Sequence, residues 1–258
     1  MTVGFPVLDE WDFYPCRVDD NDASIFLNLY FERAAPLPSA STLYWVRFEM
    51  RDVGPHGMGT AAEAEILAPI ADRIVERGRA LDFYYVGRLR SDGLWSLFLY
   101  GPAEHLETLR ALATDNNKLD GRRVDVGSKE DPDWRYYRDF LLPSPERRQW
   151  MSDRRTLEVL HQHGDPLLEA RRVDHWAFFP TAAARQNFIT ATARDGFASE
   201  DPFDDAEGTL PYCARVQRVD PVDLEGLHAV VMRLCDLAGQ AGGKYDGWET
   251  VVLAKPPN

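Results

Sequence analysis

Cysteine is scarce in this 258-residue chain, which has three such residues: Cys16, Cys213 and Cys235. They are odd in number, lie far apart and form no Cys-x-x-Cys pair. A disulfide framework or a zinc knuckle needs close and regular cysteine spacing, so the sequence argues against both. We expect reduced thiols, with Cys213 and Cys235 packed as small apolar side chains.

Long apolar runs are also missing. No stretch reaches the roughly 18 consecutive apolar residues that a membrane-spanning helix needs. Met1 leads into acidic residues instead of a basic segment followed by an apolar one, the pattern of a secretory leader. We therefore predict a cytoplasmic protein with no signal peptide and no membrane partner.

Basic residues are outnumbered, because 29 lysines and arginines face 42 aspartates and glutamates, for a net charge of -13. Nucleic-acid binding relies on clustered basic residues that release counterions from phosphates. The balance disfavours direct nucleic-acid binding and points to a protein partner with a basic segment. Acids are dense from Asp195 to Glu207, a predicted exposed loop in which Asp201, Asp204 and Asp205 are candidate partner contacts.

Familiar catalytic motifs are missing too. The chain has no Gly-x-Ser-x-Gly elbow and no His-Glu-x-x-His, so we assign no catalytic residue and no cofactor. An enzyme of unrecognised class remains an alternative. The nearest approach to a metal set is His161, His163 and His175, with Asp174 as a fourth ligand. A His-x-His pair at a helix end lacks rigid placement, so we favour solvated histidines over a metal site.

Apolar spacing predicts an α+β fold with two domains. Strand-like and helix-like runs follow the order β-α-β-β-α-β from Val173 onward, and residues 42–126 show nearly the same order. This order is the ferredoxin-like plan, here with helices packed on one face of an antiparallel sheet. Prolines 143 and 145 mark the best boundary, which gives domains at 1–144 and 145–258.

Two short polar clusters predict tight turns in the first domain. One is Asp19-Asp20-Asn21-Asp22, between two strand-like runs, and the other is Ser91-Asp92-Gly93. An Asp-Gly pair flanked by apolar strands is a strong hairpin signal, because both positions accept positive φ.

A glycine-rich loop, Gly54–Gly59, precedes a helix whose start is marked by Thr60 and Glu63 at capping-box spacing. Backbone amides in such a loop can hold an anion, which makes Gly57, Gly59 and Thr60 candidate anion-binding residues. The loop lacks the Gly-Lys-Ser/Thr of a P-loop and the full dinucleotide fingerprint. A small-ligand or anion sensor that uses this loop or an inter-domain cleft is therefore an alternative function.

The segment Lys244–Thr250 reads Lys-Tyr-Asp-Gly-Trp-Glu-Thr and lies between a helix-like run and the apolar run that ends at Leu253. Asp246-Gly247 is a turn dipeptide framed by two aromatic residues. We predict a bend or bulge whose Tyr245 and Trp248 pack on the last strand. The sharper interpretation is an exposed aromatic and acidic docking surface.

The second half resembles the regulator of ribonuclease E activity B family over roughly residues 150–254. The resemblance rests on Val173-Asp174-His175-Trp176, on the helix and turn from Phe188 to Phe197, and above all on the Lys244–Thr250 motif. It implies a compact ferredoxin-like α+β protein that binds a ribonuclease and lowers its activity without catalysis. The present chain differs by a whole added N-terminal domain and by ending at Asn258 without the long acidic tail of the well-studied form.

The first half is similar to a bacterial domain family of unknown function, family 695. This similarity locates a domain and implies no activity. The matching segments are Trp11-Asp12-Phe13-Tyr14, Tyr85-Val86-Gly87-Arg88, Asp131-Pro132-Asp133-Trp134 and Leu141-Leu142-Pro143.

Together these features favour a non-catalytic regulatory binding protein, an inhibitor or adaptor of ribonuclease E or of a related RNA-processing protein. Its acidic surface would meet lysines and arginines of the partner and orient the complex. Tyr245 and Trp248 would be aromatic anchors, flanked by Asp246 and Glu249 and joined by the acids of the Asp195–Glu207 loop.

Overall fold

The computed structural model describes residues 9–114, 119, 121–200 and 208–253. The chain divides into two compact units, Met1–Arg147 and Arg148–Asn258. Each unit has its own antiparallel sheet and its own apolar core. The predicted mixed α+β class is therefore confirmed, and the predicted boundary at 144/145 lies at the start of the helix Pro145–Gln162.

The first unit is built on a six-stranded sheet. Its strands are β1 Trp11–Val18, β2 Asn21–Asn28, β3 Thr42–Glu49, β4 Tyr84–Ser91, β5 Leu94–Gly101 and β6 Val124–Glu130. Their spatial order is β1-β2-β4-β5-β3-β6, with every neighbouring pair antiparallel. The helices of this unit include α1 Phe31–Ala34, α2 Ala61–Arg79 and α3 Leu106–Thr114.

Helices α2 and α3 pack on one face of this sheet. Helix α2 starts at Thr60, whose hydroxyl oxygen accepts the amide of Glu63 at 3.3 Å, and it buries Leu67, Ile70 and Ile74 at helical spacing. These side chains meet alternate residues of the central strands. The strand residues in this core include Tyr44, Val46, Phe48, Trp95, Leu97 and Leu99.

Residues 131–142 pack on the opposite face, which the sequence pattern did not indicate. Trp134 stacks on Tyr100 with ring centroids 3.9 Å apart. Tyr136, the first residue of the π-helix Tyr136–Leu141, has its ring centroid 4.8 Å from that of Phe98. The prediction of helices on one face only is therefore wrong for this unit. Residues 131–142 therefore bury aromatic side chains on the second face of the sheet.

Two-residue turns close the β1-β2 hairpin, where the sequence predicts a turn, and the predicted β4-β5 hairpin. Val18 pairs with Asn21, so the first turn is only Asp19-Asp20, with φ of 48° and 66°. It is shorter than predicted, because Asn21 and Asp22 already belong to β2. The turn at Asp92-Gly93 has φ of 49° and 72°, and the hairpin predicted there is confirmed.

Within the described residues, the second unit contains a four-stranded sheet and three helices. Its elements in chain order are α4 Pro145–Gln162, β7 Arg171–Phe179, α5 Ala182–Arg194, β8 Ala198–Ser199, β9 Tyr212–Asp220, α6 Leu224–Gln240 and β10 Lys244–Thr250. The strand order is β10-β7-β9-β8, and all pairs are antiparallel. Across the described parts of the chain, no helix combines the length and apolar character needed to cross a membrane.

The last strand differs from its prediction. The motif Lys244–Thr250 is itself strand β10, while residues 251–253 have no regular structure. The register against β7 shifts between Tyr245 and Gly247, so the predicted bend is a bulge within the strand. A bulge admits one extra residue, here Asp246, and lets pairing continue on both sides of it.

Candidate functional site

The sheet of the second unit has two unlike faces. Helices α4, α5 and α6 contribute to the core on the face that holds Val173, Ala177 and Phe179. Residues that alternate with this core lie on the opposite face, which we call the open face. By strand register the open face includes Arg172, Asp174, Trp176, Phe178, Arg215, Gln217, Val219, Lys244 and Glu249.

Ion pairs link neighbouring strands at the centre of the open face. The carboxylate of Asp174 lies 2.6 Å from Nη2 of Arg172 and 3.2 Å from Nε of Arg215. Glu200 pairs with the same two arginines and lies 3.0 Å from Nη1 of Arg215. Burial alone would raise the pKa of Asp174, but the two arginines outweigh it and hold that pKa below its usual value. The face therefore presents ordered charges of both signs.

Apolar and aromatic groups lie beside these charges. The guanidinium of Arg215 sits 5.2 Å above the ring of Trp176. Val219, which pairs with Arg172 across the strands, is 66% exposed. Fixed charges beside exposed apolar groups are the mixed chemistry found in protein interfaces.

The two aromatic residues of the Lys244–Thr250 motif point to the other, helix-covered face. Tyr245 is only 7% exposed and belongs to the core, and Trp248 packs against that core. The prediction of an exposed aromatic pair is therefore wrong for Tyr245. The acids of the motif, Asp246 and Glu249, are exposed.

Trp248 is tied to a buried carboxylate that sequence reasoning missed. Its indole N–H donates to Oδ1 of Asp153 at 2.9 Å, and Asp153 on α4 is fully buried. The same carboxylate accepts the side-chain amide of Gln149 at 2.9 Å and lies 2.8 Å from Nδ1 of His228 on α6. These partners offset the cost of burying a charge, and they join α4, α6 and β10.

A second buried polar pair joins β7 to β10. The hydroxyl of Tyr245 lies 2.9 Å from Nδ1 of His175, a residue that is 1% exposed. Burial lowers the pKa of His175 to about 4 and raises the pKa of Tyr245 well above its ordinary value. Both groups are therefore neutral at physiological pH, in keeping with a structural role in the core.

The three histidines considered as metal ligands, His161, His163 and His175, do not form a metal site in the structure. Nδ1 of His161 faces the carbonyl of Asp165 at 3.2 Å, and Nδ1 of His163 faces the carbonyl of Val159 at 2.7 Å. His175 is buried in strand β7. In the ranges that the structure describes, no three His, Cys, Asp or Glu residues lie together so that they could hold a metal ion.

The amides proposed for anion binding already have acceptors. Those of Gly57, Gly59 and Thr60 donate to the carbonyls of Gly54, Val53 and Asp52 at 3.4, 2.9 and 3.1 Å. An anion could use these amides only after those hydrogen bonds had broken. The predicted acidic contacts Asp201, Asp204 and Asp205 lie outside the described residues.

These features define a two-unit α+β protein whose second unit presents an ion-paired sheet face. The chain belongs to the family of unknown function DUF695, whose model matches residues 9–142. Residues 150–250 match a second family model, described as regulator of ribonuclease activity B. Both halves of the chain therefore match the families whose motifs the sequence carries.

A crystal structure of an unknown protein from Galdieria sulphuraria is 11% identical to this chain, with a TM-score of 0.22. The alignment covers 83% of this chain and 99% of the other. A TM-score this low supports no inference about fold or function. No curated protein matches the chain significantly.

Proposed function

We propose that this protein is a non-catalytic regulator that binds a ribonuclease and lowers its activity. The observation that carries the proposal is the match of residues 150–250 to the regulator of ribonuclease activity B family. Ribonuclease E of the same cell is the first partner to test, and the complex would form in the cytoplasm. The first unit would be an accessory domain.

The proposed docking module is ferredoxin-like. Its elements run β7-α5-β8-β9-α6-β10 and its sheet has the order β10-β7-β9-β8, which supports this plan. The order β4-β5-β3-β6 in the first sheet supports the same plan there, with the β1-β2 hairpin added beside β4. In the second unit all three helices then serve the core and leave one sheet face for a partner.

The proposed contact surface is the open face. Its ordered ion pairs and the exposed side chain of Val219 would contact the ribonuclease directly. Asp246 and Glu249 on β10 add exposed negative charge, and the sequence after Glu200 is rich in acids. A basic segment of the ribonuclease complements this charge and would associate faster at low salt.

The test measures cleavage of a fluorogenic RNA by purified ribonuclease E at rising concentrations of the full chain. We expect saturable inhibition, direct binding in calorimetry, weaker binding at high salt, and no RNA cleavage by this protein alone. An unrelated protein of similar net charge is the control for non-specific electrostatic effects. Unchanged cleavage together with no heat of binding would contradict the proposal.

A further inference from the structure

Solvent exposure differs between the two ends of one row of paired residues across the first sheet. Successive partners in this row are Phe13, Phe26, Arg88, Leu97 and Val46. Directly paired residues share a face, so all five lie on the face that α2 and α3 cover. Leu97 and Val46 are buried in the core, whereas Phe26 and Arg88 are half-buried and Phe13 is 39% exposed. The β1-β2-β4 side of this face is thus less covered than the rest.

Aromatic rings fill this less covered side. Trp11 stacks on Phe26 at 4.9 Å with an angle of 11° between the rings, and it lies 5.0 Å from Tyr85. We call Trp11, Phe13, Phe26 and Tyr85 the aromatic platform. Its residues come from three adjacent strands, so it forms a broad surface on the sheet.

Two arginines, Arg88 and Arg90, lie beside the platform. The guanidinium carbon of Arg88 is 5.1 Å from the ring of Phe26 and 4.4 Å from that of Trp95, and that of Arg90 is 5.5 Å from Trp95. Within the described ranges, neither arginine has a carboxylate at ion-pair distance.

Their setting differs from that of three other arginines in this unit. Arg33, Arg47 and Arg122 each pair with a carboxylate. Burial and the positive charge of Arg88 together lower the pKa of Arg90. Two neighbouring guanidinium groups of this kind would gain stability from an incoming carboxylate.

We propose that the aromatic platform, with Arg88 and Arg90, binds an acidic segment of a partner protein. Carboxylates of that segment would contact the two arginines, and an apolar or aromatic side chain would rest on Phe13 and Trp11. The few residues that dominate binding energy in protein interfaces are enriched in arginine and aromatic residues. This surface belongs to the first unit, and the proposal is independent of the ribonuclease proposal.

A protein segment fits better than a nucleic acid. Single-stranded RNA also stacks on aromatic rings, but it carries a phosphate at every residue. The net charge of -13 would repel such a polyanion, whereas a protein segment needs only a few acids to pair with two arginines.

The test selects peptides from a random dodecapeptide library on the full-length protein and measures their affinities by fluorescence anisotropy. The test variant is Arg88→Gln with Arg90→Gln. The control, Arg73→Gln with Arg79→Gln, removes the same charge from exposed positions on α2. We expect the selected peptides to combine acids with an apolar residue. Their affinity for the test variant should be at least about tenfold weaker than for the native protein. Their affinity for the control variant should lie within about twofold of that for the native protein.

Several results would overturn the proposal: no enriched peptide, peptides without acids, or equal binding to test and control variants. An oligouridine dodecamer that binds with the same dependence on Arg88 and Arg90 would assign the surface to nucleic acid instead. Circular dichroism checks the fold of each variant. Arg90→Gln alone and the charge-preserving Arg88→Lys with Arg90→Lys provide milder changes if the double glutamine variant does not fold.

Discussion

The indole N–H of Trp248 donates to the buried carboxylate of Asp153 across 2.9 Å, although 95 positions separate the two residues in sequence. The terminal motif therefore has two parts with different tasks. Its aromatic residues hold β10 against the helices, and its acids, Asp246 and Glu249, face outward. In our proposal a partner meets the exposed acids of the motif and not the buried ring of Tyr245.

Removal of the Trp248 hydrogen bond should destabilise the second unit. Trp248→Phe keeps an aromatic ring but leaves the fully buried Asp153 with one donor fewer. We expect the free energy of unfolding to fall by about 1–3 kcal/mol. Urea denaturation followed by circular dichroism measures this change. Trp176→Phe on the open face is the control, and equal losses in both variants would contradict the structural role of Trp248.

His175 should make stability depend on pH. Burial, followed by smaller effects that include the charge of Arg218, lowers its folded-state pKa to about 4 from 6.5. The unfolded chain therefore takes up this proton first as pH falls. Stability from this group is fully present above about pH 6.5 and is lost as pH falls toward 4, by roughly 3 kcal/mol.

The corresponding experiment compares unfolding free energies of the native protein and His175→Gln between pH 7 and about pH 4.5. We expect a shallower decline in the variant, because it lacks the titrating group. His163→Gln is the control, since His163 is exposed. An identical pH slope in the native protein and His175→Gln would refute the assignment.

The first unit should depend on a buried ion pair between α2 and the chain just before β6. Glu63 and Arg122 have side chains that are 3% and 4% exposed, and Nη2 of Arg122 lies 3.1 Å from Oε2 of Glu63. Glu63→Gln would leave the guanidinium buried without its counter-charge, at a cost of about 3–5 kcal/mol. Thermal unfolding measures the loss. Glu65→Gln, at an exposed position on the same helix, should change little, and a similar melting temperature for both variants would contradict this expectation.

Local patterns in the sequence predict local structure well here. Thr60 and Glu63 stand at capping-box spacing, and Thr60 does cap α2. The Asp92-Gly93 pair predicts a hairpin because both residues accept positive φ, and the hairpin is confirmed. Both features depend on residues only a few positions apart in sequence, so helix capping and turn preferences are enough to predict them.

Contacts between distant residues were the part that the sequence could not predict. No spacing rule links Asp153 to Trp248, or Tyr100 to Trp134, because such pairs form only when whole elements pack. For the same reason the motif Lys244–Thr250 suggested a turn before a strand. Its local residue types favour a bend, but pairing with β7 absorbs Asp246 as a bulge and keeps the segment extended.

The most direct test of the central claim compares ribonuclease E inhibition by the native chain, Val219→Lys and Val159→Lys. Val219 is 66% exposed on the open face, whereas Val159 is 50% exposed on α4. A lysine at 219 would repel a basic segment and add to the charge of Arg172. We predict that Val219→Lys raises the half-inhibitory concentration at least about tenfold and Val159→Lys changes it less than about twofold. Equal inhibition by all three proteins would contradict the account.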